Sequence, residues 1–507
     1  MVVSCVDFDK EPLDSLSNET FWSNKKDVIT AVNACYSGWE WGDNIMYLDA
    51  ATDNAYNQFP WEGYAAIGNG SFTPTDVGVS RFSFTTIRKC NDVLENIGGV
   101  EMDETLKNRL IAEVRFLRAY QYFIMTQFYG DIPLVETVLS LDEANLPRTP
   151  KLEVIAFVLT ELSDAAKLLP KSYSGANVGR ITKGAALGLK ARTELFEGKF
   201  ADAAITSQQI IDMGQYNLLS SYVDLFTEDF EDSYEVLFDV QYIENDYSNW
   251  LQGAFAPVKD GGWSSVTPTQ SLVDAYECID GKTINDSPTY NVDMPYTHRD
   301  PRLAATVVFP GASWEGRFYN SIDENSSDFY ERNNASKTGY SSKKYLYPLS
   351  SFNDMWNNGL NIMAMRYAEV LLIYAEAKIE SNQIDNTVVD ALNQIRNRAG
   401  MPAVDESVYN SQASLRELVR RERRVELAME GLRWFDIKRW KIGEEVLSKP
   451  VTGSRLGTVN AVTGDVNFSS SEHIQVETRM FSSHNYLWPI PQSEIDINSN
   501  LEQNHGY

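Results

Sequence analysis

Apolar residues recur at intervals of three and four along much of the chain, most densely over residues 361–441. Met363, Tyr367, Val370, Leu371, Tyr374 and Ala375 make one stripe over 361–380. Leu415, Leu418, Val419, Val425, Ala428, Met429 and Leu432 make another, and residues 387–398 lie between them. That spacing puts one apolar face on each of three helices. Glu422 falls on the apolar stripe, and Arg366, Arg423 and Arg424 lie beside such stripes. Charges at a helix interface are tolerable when paired, so an ion-pair lattice between helices is expected. The other reading gives these charges a ligand or catalytic role. Upstream, the same periodicity predicts helices over about 84–97, 103–128, 152–168, 182–197 and 201–213, with Thr182 as a cap. A further helix runs through Val28, Val32 and Cys35, with Ser23 as a possible cap. The break at Glu197–Phe200 between two helices bearing Ala191 and Ala203 resembles one tetratricopeptide repeat; residues 361–398 resemble another more loosely.

Between these helical blocks the pattern changes. Residues 39–64 carry Trp39, Trp41, Phe59, Trp61 and Tyr64 among Asp43, Asp49, Asp53 and Asn54, material suited to a polar ligand surface. Residues 216–347 hold Gly, Asn, Asp and Ser clusters with short apolar runs at 235–240 and 304–309, read as loops, short helices and a few strands. A second irregular stretch follows Lys441. Four divisions result: a tether over 1–19, a helical region over 20–215, a loop-rich region over 216–360 and a helical region over 361–507.

The chain has 507 residues, 71 acids against 44 bases and a formal charge of -27, which argues against nucleic acid as a partner. Cys5, Cys35, Cys90 and Cys278 form no close pair, so neither a zinc ribbon nor a redox dithiol is indicated. Cys35 and Cys90 sit in apolar helical patterns, as buried thiols would. No run of 18 apolar residues is present. Ser4-Cys5 after short apolar residues looks like the end of a lipoprotein signal. His298-Arg299-Asp300 lacks the rest of a kinase site, and no nucleophile elbow or zinc-protease pattern occurs. Residues 227–232 (TEDFED) do not match a spaced calcium loop and read as a solvated acidic face. No metal or cofactor is expected, and no enzymatic activity.

Ten segments resemble the SusD/RagB-like outer-membrane nutrient-binding lipoproteins of Bacteroidota. They are RFLRAYQYF (115–123), FYGDIPL (128–134), GRITKGAA (179–186), RDPRL (299–303), RYAEVLL (366–372), NQIRNRAG (393–400), ERRVEL (422–427), GLRWFD (431–436), LWPIPQ (487–492) and NLEQNHGY (500–507). The resemblance implies a mostly α, SusD-like fold: a scaffold of four tetratricopeptide-like hairpins under a loop-rich ligand face, with minor β structure. It also implies lipidation at Cys5, anchoring at the cell surface of the outer membrane, and a TonB-dependent, SusC-like transporter as partner. The ligand is expected to be oligosaccharide or polysaccharide. Peptide or another nutrient is the alternative, and a helical-repeat adaptor a more distant one. The ligand residues belong to the variable loops and rest on chemistry: sugar C–H faces stack on flat rings, and hydroxyls seek Asp, Asn, Arg and Gln. The candidates are Trp61, Tyr64, Trp250, Trp263, Trp314 and Arg317. The competing role for each ring is to close the core beneath a loop.

Overall fold

A computed structural model describes residues 21–507; Cys5 and the tether lie outside them. Ten helices make the scaffold: α1 Lys25–Tyr36, α2 Thr85–Asn96, α3 Glu104–Tyr129, α4 Lys151–Leu168, α5 Lys183–Phe196, α6 Phe200–Asp212, α7 Tyr367–Glu380, α8 Asn386–Arg398, α9 Gln412–Glu426 and α10 Arg433–Trp440. The mostly α architecture expected from periodicity is the one observed. From α2 to α8 each helix packs on the next, and α6 passes directly to α7 across more than 150 residues of intervening chain. The loop-rich segment between them is therefore laid over a continuous helical array.

Local chemistry explains the ends. Asp103 Oδ1 accepts from the Leu106 N–H at 2.9 Å to start α3, and Gly130, at φ +75°, ends it. Thr182 Oγ1 caps α5 by accepting from the Ala185 N–H at 3.2 Å. The cap of α1 is Asn24, not Ser23: Asn24 Oδ1 accepts from the Lys26 N–H, and Asp27 Oδ2 accepts from the Asn24 N–H. Ala191 and Ala203 are fully buried in the α5–α6 hairpin. Cys35 and Cys90 are buried free thiols, as expected.

Three expectations need correction. Residues 361–380 are not one helix. Ile362–Arg366 is a strand, paired antiparallel with Val236–Val240. Four apolar residues, 362–365, fit either period, and a partner strand more than 120 residues away decides between them. The stripe through Leu432 is likewise interrupted. Helix α9 stops at Glu426, and the chain turns through Met429 at φ +63° and Gly431 at φ +73° before α10. A Cβ on Gly431 would lie 2.4 Å from the Ile45 carbonyl oxygen, so glycine alone fits there. The stretch after Lys441 contains a long antiparallel hairpin, Pro450–Val459 with Val466–Thr478. The second of these strands is mostly polar and largely exposed, so it carries no apolar signal.

The charges on the stripes are paired. Glu422 accepts from Arg302 Nη1 at 2.5 Å and from Arg396 Nη1 at 2.9 Å. Arg366 donates to Glu235, Glu426 and Glu430, and Arg423 to Asp436 and Glu369. Arg424 is paired with Asp53 at 3.0 Å. Glu426 receives Arg302, Arg366 and Arg398 together. Glu422→Ala leaves two buried guanidiniums short of acceptors, a loss of about 3–5 kcal/mol for such a break. Its urea midpoint is expected well below that of the parent; an unchanged midpoint contradicts the pairing.

The same groups set the response to pH. Burial raises the Glu426 and Asp53 carboxyls, but guanidiniums more than offset it and hold both well below the usual range. Their stabilisation is present above the unfolded values of about 4 and is lost as pH falls through the folded ones. Asp49 is the reverse case. Its two carboxylate oxygens are buried and face the Met429 and Gly431 backbone N–H groups without a well-formed hydrogen bond, and burial pushes it up to about 7. Ionising it costs stability at and above neutrality, and acidification relieves that cost. Calorimetry is expected to show a midpoint that rises modestly from about pH 8 to about pH 5.5 and falls steeply below about pH 4. In Asp49→Asn the rise is expected to shrink; an equal rise refutes the assignment.

Candidate functional site

A small ribbon organises the loop face. Strand β1, Ala55–Asn57, pairs antiparallel with β2, Val266–Pro268, and brings the chain around Phe59 beside the chain around Trp263. The Gln58 N–H donates to the Ser265 carbonyl at 3.1 Å. Gln58 Nε2 donates to the carbonyls of Trp263 at 2.6 Å and Ser264 at 2.9 Å. The Trp263 N–H in turn donates to the Gly253 carbonyl. A Cβ on Gly262 would lie 2.1 Å from the Ala256 carbonyl oxygen, so this turn closes only with glycine at that position.

The ribbon lines up rings. Phe59 and Trp61 stack with centroids 4.7 Å apart. Trp263 stands edge-on to Phe59 at 6.3 Å and tilts against Trp356 at 4.7 Å. A Cβ on Gly253 would overlap the Trp356 ring at 2.2 Å, which seats that indole on the short helix Leu251–Phe255. Trp250, at the start of the same helix, lies 6.1 Å from Tyr47. Tyr47 Oη donates to Glu62 Oε1 at 2.9 Å, and Asn57 Nδ2 donates to Glu62 Oε2 at 2.5 Å. Burial raises the Glu62 carboxyl, against the hydrogen bonds from Asn57 and Tyr47. Trp61 is 75% exposed, Trp263 41% and Trp250 38%. Indoles that exposed, held by backbone hydrogen bonds around them, form a preorganised flat surface edged by the Glu62 carboxylate.

Three sequence candidates sit elsewhere. Trp314 is fully buried, and its Nε1 donates to Asp260 Oδ2 at 2.7 Å. Arg317 Nη2 donates to Asp260 at 3.0 Å and to Asp328 at 3.1 Å. The Lys259 N–H donates to Asp328 Oδ1. Trp314 and Arg317 thus brace the 257–262 turn from beneath, and the core-closing role holds for Trp314. Tyr64 is buried against Tyr47, with its ring face covered. Phe59 lay within the ring-rich stretch but was not singled out. Trp356 does not stand out in the sequence, because residues 351–360 show no apolar periodicity and Asn358-Gly359 signals only a turn.

Beyond the ring row, Trp41 packs on Tyr247 at 5.4 Å, and Tyr247 stacks on Tyr242 at 5.7 Å. Tyr242 and Tyr247 border a cavity of about 520 Å³. Glu40, Glu231, Asp232 and Asp239 line it, with no Lys or Arg among the described residues. Burial pushes Glu231 up to about 8 and Asp239 up to about 7.

The protein is thus a mostly helical, hairpin-stacked scaffold that carries an exposed aromatic row on its loop face. The chain belongs to the SusD family: that family matches residues 225–507, and the family described as starch-binding associating with outer membrane matches residues 13–195. A SusD-like protein of Formosa agariphila is 27% identical, covering 100% of this chain and 97% of its own. A SusD-like carbohydrate binding protein of Bacteroides fragilis is 33% identical, covers 95% of this chain and all of its own, and superposes with a TM-score of 0.87. Surface glycan-binding protein A of Bacteroides thetaiotaomicron, solved with laminarihexaose, shares the fold at 20% identity, covering 95% of this chain and 100% of its own, with a TM-score of 0.71. No helix among the described residues is long and apolar enough to cross a membrane.

Proposed function

We propose that this protein is a non-enzymatic glycan-binding lipoprotein of the cell surface, held in the outer membrane through Cys5, that captures oligosaccharide and passes it to a TonB-dependent transporter. The observation that carries the reading is the row of exposed indoles at Trp61, Trp263 and Trp250, with Phe59 and Trp356 behind them. Each indole offers a flat apolar face to the C–H side of a pyranose, and a ring loses little rotamer entropy on docking. Glu62, half-buried next to Trp61, stands beside the rings to accept from hydroxyls. The relative solved with laminarihexaose supports oligosaccharide as the ligand class.

A second reading, capture of a basic peptide, is favoured by the acidic cavity beside Tyr242 and Tyr247. Glycan and basic-peptide arrays separate the two.

Trp61→Ala or Trp263→Ala is expected to weaken binding of the best neutral array hit about tenfold or more, some 1.4 kcal/mol, by calorimetry. Circular dichroism and thermal midpoint are expected to stay near the parent's. Trp314→Ala is expected to behave oppositely, losing about 3–5 kcal/mol of stability as large buried rings do. Parental affinity in both exposed-ring variants moves the site off this row.

A further inference from the structure

We propose that a polar cavity at the other end of the β1–β2 ribbon is a second saccharide site, one that takes an acidic sugar unit by its anionic group. The inference rests on the glycan-binding reading above. The cavity measures about 440 Å³, and its charged walls are Asp53, Asp274, Arg424, Lys449 and Arg479. Asp53 precedes β1, whereas Phe59 and Trp61 follow it. Five residues, 54–58, separate Asp53 from Phe59, three of them in β1, and no ring of the row lines this cavity. The cavity is therefore distinct from the ring row.

Its charge is unusual for this chain. Three cations against two carboxylates line it, in a protein of net charge -27. Asp53 cannot neutralise its neighbours alone. Arg433 Nε and Nη2 already occupy its two oxygens at 2.8 and 2.9 Å, and Arg424 Nη2 shares one of them at 3.0 Å. One carboxylate thus hydrogen-bonds two guanidiniums, and Asp49, although near, hydrogen-bonds neither, so Arg424 is only partly neutralised.

Arg424 also has donors to spare. Its Nε donates to Asn54 Oδ1 at 2.9 Å and its Nη2 to Ser271 Oγ at 3.0 Å. Its Nη1 has no acceptor among the described residues. Burial pulls this guanidinium down to about 10, and Asp53 only partly offsets it. A half-neutralised guanidinium at a cavity wall is a seat for an anionic oxygen. Arg479 is not available for that role, because it donates to the carbonyls of Ala50, Thr52 and Ala55 and to Glu477. Lys449, at the exposed rim, supplies a second positive charge without a partner among the described residues.

Asp274 decides what kind of anion fits. Its Oδ1 accepts from Gln270 Nε2 at 2.7 Å, and its Oδ2 has no donor among the described residues. A bare inorganic anion would be repelled by this carboxylate. A sugar ring carrying a carboxylate or sulfate ester next to a hydroxyl satisfies both sides: the anionic oxygens go to Arg424 and Lys449, and the hydroxyl donates to Asp274.

Calorimetry with four probes tests this: a glucuronate-terminated oligosaccharide, its glucose-terminated counterpart, glucose 6-sulfate and inorganic sulfate. The glucuronate probe, the sulfated probe or both are expected to outbind the neutral probe on the parent, with an affinity that falls as salt rises. The two acidic arms report which anionic group is preferred. Lys449→Glu, a surface change, is expected to weaken the acidic probes about tenfold or more while sparing the neutral one. Arg424→Gln is expected to abolish the acidic preference; if it does not fold, Lys449→Glu and Asp274→Asn decide. Trp263→Ala is expected to leave the acidic preference intact. The proposal is overturned if no acidic probe outbinds the neutral one, if Lys449→Glu changes nothing, or if inorganic sulfate binds as tightly as the sugars. A protein that binds neutral glycan through Trp61 and Trp263 but shows no acidic preference loses only this proposal. One that binds no neutral glycan loses the wider reading.

Discussion

Glu426 accepts three guanidiniums, from Arg302, Arg366 and Arg398, at the end of helix α9. Those arginines come from the short helix Pro301–Thr306, from the residue that opens α7, and from the last turn of α8. Arg366 Nη2 also takes the Glu426 carbonyl at 2.7 Å. Four segments distant in sequence thus meet at one carboxylate, where desolvation is costly and only this arrangement repays it. The network continues outward. Glu430 holds Lys344 and Arg366, Glu235 holds Arg366 and Arg398, and Glu369 joins Arg423 to Arg192 on α5. Apolar stripes bring the helices together, and this lattice fixes how the loop-rich segment is clamped to them.

The loop face is attached through the same helix. Arg424 of α9 reaches Asn54 and Asp53, which lead into β1, and β1 positions Gln58 against the Trp263 carbonyl. On the other side, Trp314 and Arg317 grip Asp260 within the turn that precedes Trp263. The rings therefore stand on backbone tied down at both ends. A surface ordered before ligand arrives loses less entropy on binding than one that must form around it.

What was legible in the sequence follows from how each feature encodes itself. The scaffold helices repeat an apolar period over many residues, and their existence and rough extent could be read. Glu422 was legible because a carboxylate on an apolar stripe demands a partner. Glu426 gave no such contrast, since its three arginines are fixed by contacts across up to 124 residues. Strand Ile362–Arg366 and the polar hairpin Pro450–Thr478 were unreadable for a related reason, as pairing rather than periodicity defines them. Among the candidate site residues, composition could nominate tryptophans near glycine and acids. It could not separate Trp263, which faces outward, from Trp314, which faces in; their flanking residues are alike, and only the path of the turn distinguishes them.

The buttress under residues 257–262 also divides labour between front and back. Trp61, the most exposed ring of the row, makes its ring contact with Phe59 and takes no part in the arginine lattice. Exposed positions of this kind usually tolerate exchange within about 0.5 kcal/mol of stability. The proposed recognition surface can therefore drift through single codon changes, swapping one ring for another or for a polar side chain, while the frame that orients it stays as it is. A fold arranged in this way can be re-tuned to a new nutrient without first being destabilised.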